Sequence, residues 1–149
     1  MTENQDIPDI FKNVFRAEDE ESKRLETQAQ QVIQSLSETY IQNVHVQLSD
    51  LERYIAQIRQ TNSLSHSEIQ ENIFRIAHNI KGQGTTFGYP LLTALGTHIC
   101  DLTRHVKIWS RSLIDIIERD VFDMKTVIQF PANTHNNILT QIERRLGEK

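Results

Sequence analysis

The sequence is poor in the residues that interrupt helices or crosslink a chain. It has only 5 glycines, 3 prolines and a single cysteine, Cys100, among 149 residues. Long segments without glycine or proline favour helices over the short strands and tight turns of a sandwich or barrel. One cysteine excludes a disulfide framework within the chain and is typical of a protein in a reducing compartment. We therefore expect an all-α protein that resides in the cytoplasm.

The sequence also lacks a basic character and long apolar runs. Its formal net charge is −4, whereas a nucleic-acid-binding domain carries a basic patch. No apolar run approaches the roughly 20 residues of a transmembrane helix, and the N-terminal MTENQDIPDIF lacks the basic and then apolar order of a signal peptide. We expect a soluble protein that binds neither nucleic acid nor membranes.

Apolar residues recur three and four positions apart along most of the chain, which is the period of an amphipathic helix. A short helix is expected from about Pro8 to Phe15, before the charged run AEDEESKR. A stripe from Leu25 to Ile58 then predicts one long helix, or two joined near residues 35–37. Further stripes occupy residues 69–87, 92–106, 113–128 and 138–146.

These stripes and the short loops between them predict an antiparallel four-helix bundle with additional N-terminal and C-terminal helices. We assign residues 1–36 to an N-terminal helical extension and residues 37–149 to the bundle. The stripe from Leu25 to Ile58 also matches a coiled-coil seam, although a core-facing bundle helix gives the same pattern.

The segment FRIAHNIKGQGTTFG, residues 74–88, is unusual because two glycines follow a helical run directly. His78 lies nearly opposite the apolar stripe of this helix, so it should face solvent. Lys81 and Gly82 follow it by three and four positions and therefore lie on the same face. The lysine would stabilise a dianionic group on the histidine. Gly82, which costs a helix about 1 kcal/mol relative to alanine, would leave space for that group.

The run from His78 to Gly82, HNIKG, with FRIA before it and Gly88 after it, resembles the motif of histidine-containing phosphotransfer (HPt) domains of two-component phosphorelays. The similarity covers roughly residues 37–130, and its most specific part is residues 74–92. It implies an antiparallel four-helix bundle whose exposed histidine takes a phosphoryl group from a receiver-domain aspartate or returns it. By position, His78 would be the phosphoacceptor, Lys81 would lie near the phosphoryl oxygens and Gly82 would maintain space.

The resemblance also implies the partners, which are response-regulator receiver domains and a histidine kinase that acts directly or through a receiver. The chain would need no cofactor, because the receiver supplies Mg²⁺, and it would be a phosphocarrier rather than an independent catalyst. Phe74, Arg75 and Thr85 lie one turn before and after the motif and are expected to dock the receiver. Alternatively, a neighbouring helix covers Phe74 as part of the core, for example the N-terminal helix that carries Phe11 and Phe15.

Two other functions fit the same residues. The chain could be the phosphotransfer domain of a chemotaxis-type kinase, or a helical interaction module that is not phosphorylated. Two positions depart from the family pattern. Gln83 replaces a small residue, and its place on the helix predicts that it turns toward the core flank. Cys100 stands where many members carry a glutamine that orients the histidine ring, and a thiol is a weak hydrogen-bonding partner.

A second group of polar residues has a spacing that metal ligands can use. His98, Asp101 and His105 lie on one predicted helix at spacings that a transition metal could use. No fourth ligand is evident in the sequence, and the three positions lie beside an apolar stripe. We therefore expect a polar helix flank here and no metal site.

Overall fold

The computed structural model describes the backbone of residues 9–61 and 66–147, and side chains from residue 18 onward within those ranges. The regular structure in these residues is helical, without a strand, as the sequence predicted. Five helices follow one another: α1 (Asp9–Gln60), α2 (Ser67–Gly84), α3 (Pro90–Thr103), α4 (Arg111–Val127) and α5 (Asn137–Gly147).

The short N-terminal helix expected before the charged run is not a separate element. Instead, α1 continues from Asp9 through the charged run and through residues 35–37 to Gln60. The physical reason is that residues 9–60 contain neither glycine nor proline, and serine costs a helix interior only a fraction of a kcal/mol, under about 0.7. The side chains of Phe11 and Phe15 lie outside the described residues, so the structure does not test whether they cover Phe74.

The chain divides into two compact units, Met1–Glu38 and Thr39–Lys149. In the first unit, every described side chain from Glu18 to Leu36 belongs to α1 and is exposed. The apolar core lies in the second unit, where the stripes of all five helices contribute buried side chains. Its members are Tyr40, Val44, Leu48, Leu51, Ile55 and Ile58 of α1, Ile73, Ile76, Ala77 and Ile80 of α2, Leu92, Leu95, Ile99 and Cys100 of α3, Ile114, Ile117, Val121, Met124 and Val127 of α4, Ile128 just after α4, and Leu139 and Ile142 of α5.

The second half of α1 contacts α2 through Tyr40 and contacts α4 through Arg59. The Tyr40 hydroxyl donates a hydrogen bond to the Ile80 carbonyl over 3.0 Å, and the Tyr40 ring stacks on Phe87 with 4.9 Å between centroids. At the other end, Arg59 Nη2 lies 2.6 Å from Asp115 Oδ1 and 2.8 Å from Glu118 Oε2. These contacts attach the second half of α1 to both neighbouring helices.

Helices α2 and α3 pack closely because glycines lie at their contact. A Cβ atom at Gly96 would lie only 2.9 Å from the Ala77 carbonyl oxygen and 2.9 Å from Lys81 Cβ. Hydrogen bonds hold the pair at both ends. Gln70 Nε2 donates to the Thr103 carbonyl over 2.6 Å, and Thr93 Oγ1 donates to the Lys81 carbonyl over 3.1 Å.

The link between α2 and α3 follows the turn signals of the sequence. Gly88 has a φ of 85°, a conformation that residues with a Cβ rarely adopt. Its carbonyl accepts a hydrogen bond from the Asn133 amide over 2.8 Å. Pro90 lies in the first turn of α3, where its missing N–H is not needed. This link sets the direction in which α3 returns along α2.

A buried ionic network joins α3, α4 and α5. Asp120 of α4 has no exposed surface, and its two carboxylate oxygens lie 2.6 Å from His98 Nδ1 and 2.7 Å from Arg145 Nη2. Arg145 Nε also donates to Asp123 Oδ2 over 2.9 Å. Each buried carboxylate therefore has a cationic partner on α5, which fixes this short helix to the rest of the unit.

Candidate functional site

His78 is exposed on α2, while Ile73, Ile76 and Ile80 of the same helix are buried. The orientation predicted from helical periodicity is therefore correct. The alternative of a histidine satisfied inside the core is wrong, because the apolar stripe lies on the other side of the helix. The imidazole is thus accessible to a reacting partner.

The ring of His78 is stacked on an aromatic neighbour one turn earlier. The centroids of Phe74 and His78 are 6.1 Å apart and their planes differ by 24°. Phe74 is half-buried and packs against the core. A partly fixed aromatic ring beside an exposed histidine limits the orientations of the imidazole, so Phe74 supplies part of the positioning that the sequence left unassigned.

Arg104 is a site residue that sequence reasoning missed. It is the C-cap residue of α3, and its guanidinium carbon lies 5.9 Å from the centroid of the Phe74 ring, within the usual range of a cation–π contact. Arg104 and Phe74 are far apart in sequence, and the packing of α3 on α2 brings them together. No local pattern could have shown this pairing.

Cys100 lies behind this surface, and the pKa of its thiol reflects the charges around it. The thiol is buried, and burial raises its pKa, while the positive charges of Lys81 and Arg104 act in the opposite direction. Both cations therefore lie close to the same point between α2 and α3. Cys100 Sγ lies 3.9 Å from the Phe74 carbonyl oxygen, a weak contact in which the thiol points at the backbone of α2.

The two glycines after Lys81 have different surroundings. A Cβ atom at Gly82 would meet no atom within 4 Å, so this position is open beside the histidine face. At Gly84, a Cβ would lie 2.6 Å from Thr93 Oγ1, so this glycine permits the approach of α3. Gln83 is exposed, and its predicted turn toward the core flank is wrong because Gly84 occupies that side.

The residues expected to dock a receiver lie on the surface of α2 or just after it. Arg75 is exposed and its Nη2 donates to Asn72 Oδ1 over 3.0 Å. Thr85 is also exposed, and its hydroxyl donates to Thr93 Oγ1 over 3.0 Å. Together with the half-buried Phe74, these side chains extend the accessible surface around His78 along the helix in both directions.

Two of the three residues with metal-ligand spacing, His98 and Asp101, make other contacts. His98 Nδ1 is bound to Asp120, while Asp101 Oδ1 lies 3.9 Å from Arg104 Nη2. Within residues 18–61 and 66–147, no group of three or more histidine, cysteine or acidic side chains is placed to hold a metal ion. The interpretation as a polar flank therefore fits the contacts of His98 and Asp101.

His78 does not line either of two sizeable concavities in the second unit. A groove of about 540 Å³ lies between α1 and α4, and a cavity of about 370 Å³ lies between the start of α3 and α5. An exposed histidine on an open helix face suits a macromolecular partner better than a small substrate, which proteins usually bind in a concave site.

Comparison with known proteins adds no relative: the chain matches no protein-family model, no curated protein and no solved structure. Within the described ranges, none of the helices combines the length and apolar character needed to cross a membrane.

Proposed function

We propose that the chain is a histidine phosphotransfer protein that relays a phosphoryl group between His78 and the aspartates of receiver domains. The observation that carries the proposal is an exposed imidazole with Lys81 three positions later on the same helix and open space at Gly82. Phe74 stacks on the ring, and the Arg104 guanidinium lies over Phe74. An exposed histidine with few catalytic groups around it suits a phosphocarrier, because the partner receiver can supply the catalytic groups.

The proposal includes an antiparallel four-helix bundle formed by the second half of α1 with α2, α3 and α4. It is supported by contacts that join the start of one helix to the end of another. Gln70 early in α2 contacts Thr103 at the end of α3, and Arg59 at the end of α1 binds Asp115 early in α4. In a bundle of this kind, functional side chains project from rigid helices and not from loops.

The chemistry assigned to His78 is a direct phosphoryl transfer. A ring nitrogen of His78 attacks the phosphorus of the receiver's aspartyl phosphate, the N–P bond forms, and the bond between phosphorus and the aspartate oxygen breaks. The carboxylate leaves on the receiver. A Mg²⁺ ion bound by the receiver would neutralise charge on the transferring group. Lys81 and Arg104 then offset the charge of the phosphoryl group on the histidine.

The docking surface in this proposal consists of Phe74, Arg75 and Thr85 around His78. Phe74 supplies the apolar contact that anchors many interfaces, and Arg75 suits the acidic residues around a receiver's aspartate. A small patch of this kind fits a transient encounter, which a relay requires because the carrier must leave one partner and meet the next.

The proposal is tested by treating the protein with phosphoramidate, a small phosphoryl donor, and measuring its intact mass. The wild type should gain the mass of one phosphoryl group, and His78→Gln should not, while circular dichroism shows the same helix content for both. His105→Gln is the matched control, because His105 is an exposed histidine on the same protein and its loss should leave labelling intact.

Each other result has a clear meaning. Equal labelling of His78→Gln and the wild type would show that the phosphoacceptor is misassigned. A wild type that takes no label from phosphoramidate or from a phosphorylated receiver would favour an interaction module. Labelling by a chemotaxis-type kinase with ATP, without transfer from receivers, would favour the kinase phosphotransfer domain.

A further inference from the structure

In the first unit, α1 carries an apolar stripe that no described residue covers. Leu25, Val32, Ile33 and Leu36 are between 52% and 58% exposed. Further along the same helix, in the second unit, Tyr40, Val44 and Leu48 follow one another at separations of four and are buried. A single helix gains little stability from its own backbone in water, and apolar side chains at regular spacing are typical of a helix that packs against another.

We propose that residues 22–38 of α1 form an antiparallel coiled coil with the same segment of a second copy of this chain. This dimer would be additional to phosphotransfer and does not depend on it. The seam consists of Leu25, Ala29, Val32 and Leu36, which are separated by four, three and four positions. The proposal concerns only this segment and leaves the second unit as it is.

The spacing of the seam favours a second copy as the occupant. A separation of four, three and four reads the same in both directions, so two antiparallel copies bring all four positions into register. Leu25 then lies opposite Leu36 of the partner copy, and Ala29 lies opposite Val32. A second copy therefore provides a matching apolar surface, and no other sequence is required. It is also present at the same concentration as the first copy.

The charges beside the seam favour the antiparallel direction. With Leu25 at a d position, Glu21 is a g position and Glu26 is the e position of the next heptad. In a parallel pair in register, Glu21 of one copy would therefore lie beside Glu26 of the other. The acidic run of residues 18–21 would also lie beside itself. In the antiparallel pair, the acidic runs lie at opposite ends, and Glu26 lies beside Ile33. The flanking positions at the centre, Gln28 and Ser35, carry no charge.

The first test is the mass of the full-length protein in solution, measured by sedimentation equilibrium over a range of concentrations. The wild type should approach twice the chain mass of 17.3 kDa as concentration rises. Val32→Glu should weaken the dimer at least tenfold, because it introduces a charge into the seam, while glutamate remains a good helix former. Val46→Glu is the matched control, since Val46 is 63% exposed on the same helix outside the seam and its substitution should leave the dimer unchanged.

A wild type that stays monomeric at every concentration overturns the proposal. A Val32→Glu variant that dimerises as strongly as the wild type overturns the seam assignment.

The direction is tested with Leu25→Cys and Leu36→Cys chains, mixed in a glutathione redox buffer and separated after alkylation. The antiparallel pair predicts that the disulfide joining the two different variants predominates. Native Cys100 is buried and is present in both variants, so it does not favour one product. Disulfides that join identical variants in excess would overturn the antiparallel arrangement.

Discussion

At the scale of single residues, the two glycines after Lys81 separate the requirements of chemistry from those of packing. Gly84 and Gly96 lie where α2 and α3 touch, and a Cβ at either position would collide with the neighbouring helix. Gly82 has no such neighbour. Packing therefore does not require a glycine at position 82, whereas the proposed phosphotransfer would use the open space beside His78.

Gly82→Ala should therefore keep or raise the free energy of unfolding, by up to about 1 kcal/mol, because alanine is the better helix former. The same substitution should slow phosphorylation of His78, since the new methyl group occupies the open space. Urea denaturation and the rate of mass gain with phosphoramidate measure the two effects separately.

Gly96→Ala is the contrasting variant. Its methyl group would lie 2.9 Å from the Ala77 carbonyl and from Lys81 Cβ, and overpacking of this kind typically costs about 1–3 kcal/mol. A Gly82→Ala protein that lost as much stability as Gly96→Ala would contradict the assignment of Gly82 to the histidine face.

At the scale of secondary-structure elements, α5 is held by ions as well as by apolar contacts. Leu139 and Ile142 are buried, whereas Ile138, which the sequence placed in the apolar stripe, is 49% exposed. Burial raises the pKa of Asp120, while the hydrogen bonds from Arg145 and His98 act to lower it. Both partners therefore offset part of the cost of burying this carboxylate.

Arg145→Met should lower the free energy of unfolding by roughly 3 kcal/mol, because it leaves the buried Asp120 and Asp123 without their shared cation. Arg144→Met, one position earlier on the exposed side of α5, should change stability by less than about 0.5 kcal/mol. Both values come from urea denaturation at neutral pH. Equal effects of the two substitutions would show that the ionic network contributes nothing to docking α5.

At the scale of the whole molecule, the second unit should become unstable in alkali through Tyr40, which joins α1 to α2. Burial, followed by the proximity of Tyr89, raises the pKa of Tyr40 from 10.0 to about 12. The unfolded chain therefore loses this proton at a lower pH than the folded protein does. The stabilising contribution is complete below pH 10 and is lost as pH rises toward 12.

Tyr40→Phe should remove an alkaline loss of stability on the order of 2 kcal/mol. At neutral pH the same variant should be less stable by about 1 kcal/mol, because it lacks the hydrogen bond to Ile80. Urea denaturation on both sides of pH 10 measures the difference. Tyr89, whose pKa burial also raises, leaves a smaller dependence in the variant. The control Tyr54→Phe should retain the wild-type alkaline loss, and if Tyr40→Phe retained it too, ionisation of Tyr40 would not be the cause.

Much of the candidate site was readable in the sequence because its residues share one helix. The exposure of His78 and the burial of Ile73, Ile76 and Ile80 follow from a period of 3.6 residues, which is a local property of the backbone. The positive φ of Gly88 and the start of α3 at Pro90 likewise follow from turn chemistry. Spacing on one helix also put Lys81, Gly82 and Phe74 beside His78.

The remaining features depend on contacts between helices and were not readable. Arg104 reaches Phe74 because α3 packs on α2. At the same contact α3 approaches Gly84, while Gln83 stays exposed. The pairing of Arg145 with Asp120 and Asp123 is also a product of packing. Periodicity describes one helix at a time and carries no information about which polar groups meet across two.

The stripe from Leu25 to Ile58 shows most clearly which features follow from the sequence and which depend on contacts between helices. The sequence by itself determined that these residues lie on one side of a helix, because spacing alone sets the face. Only the tertiary structure decided that the stripe is buried from Tyr40 onward and exposed from Leu25 to Leu36. The physical reason is that burial requires partner helices within reach, and in the described residues those partners pack along the second half of α1.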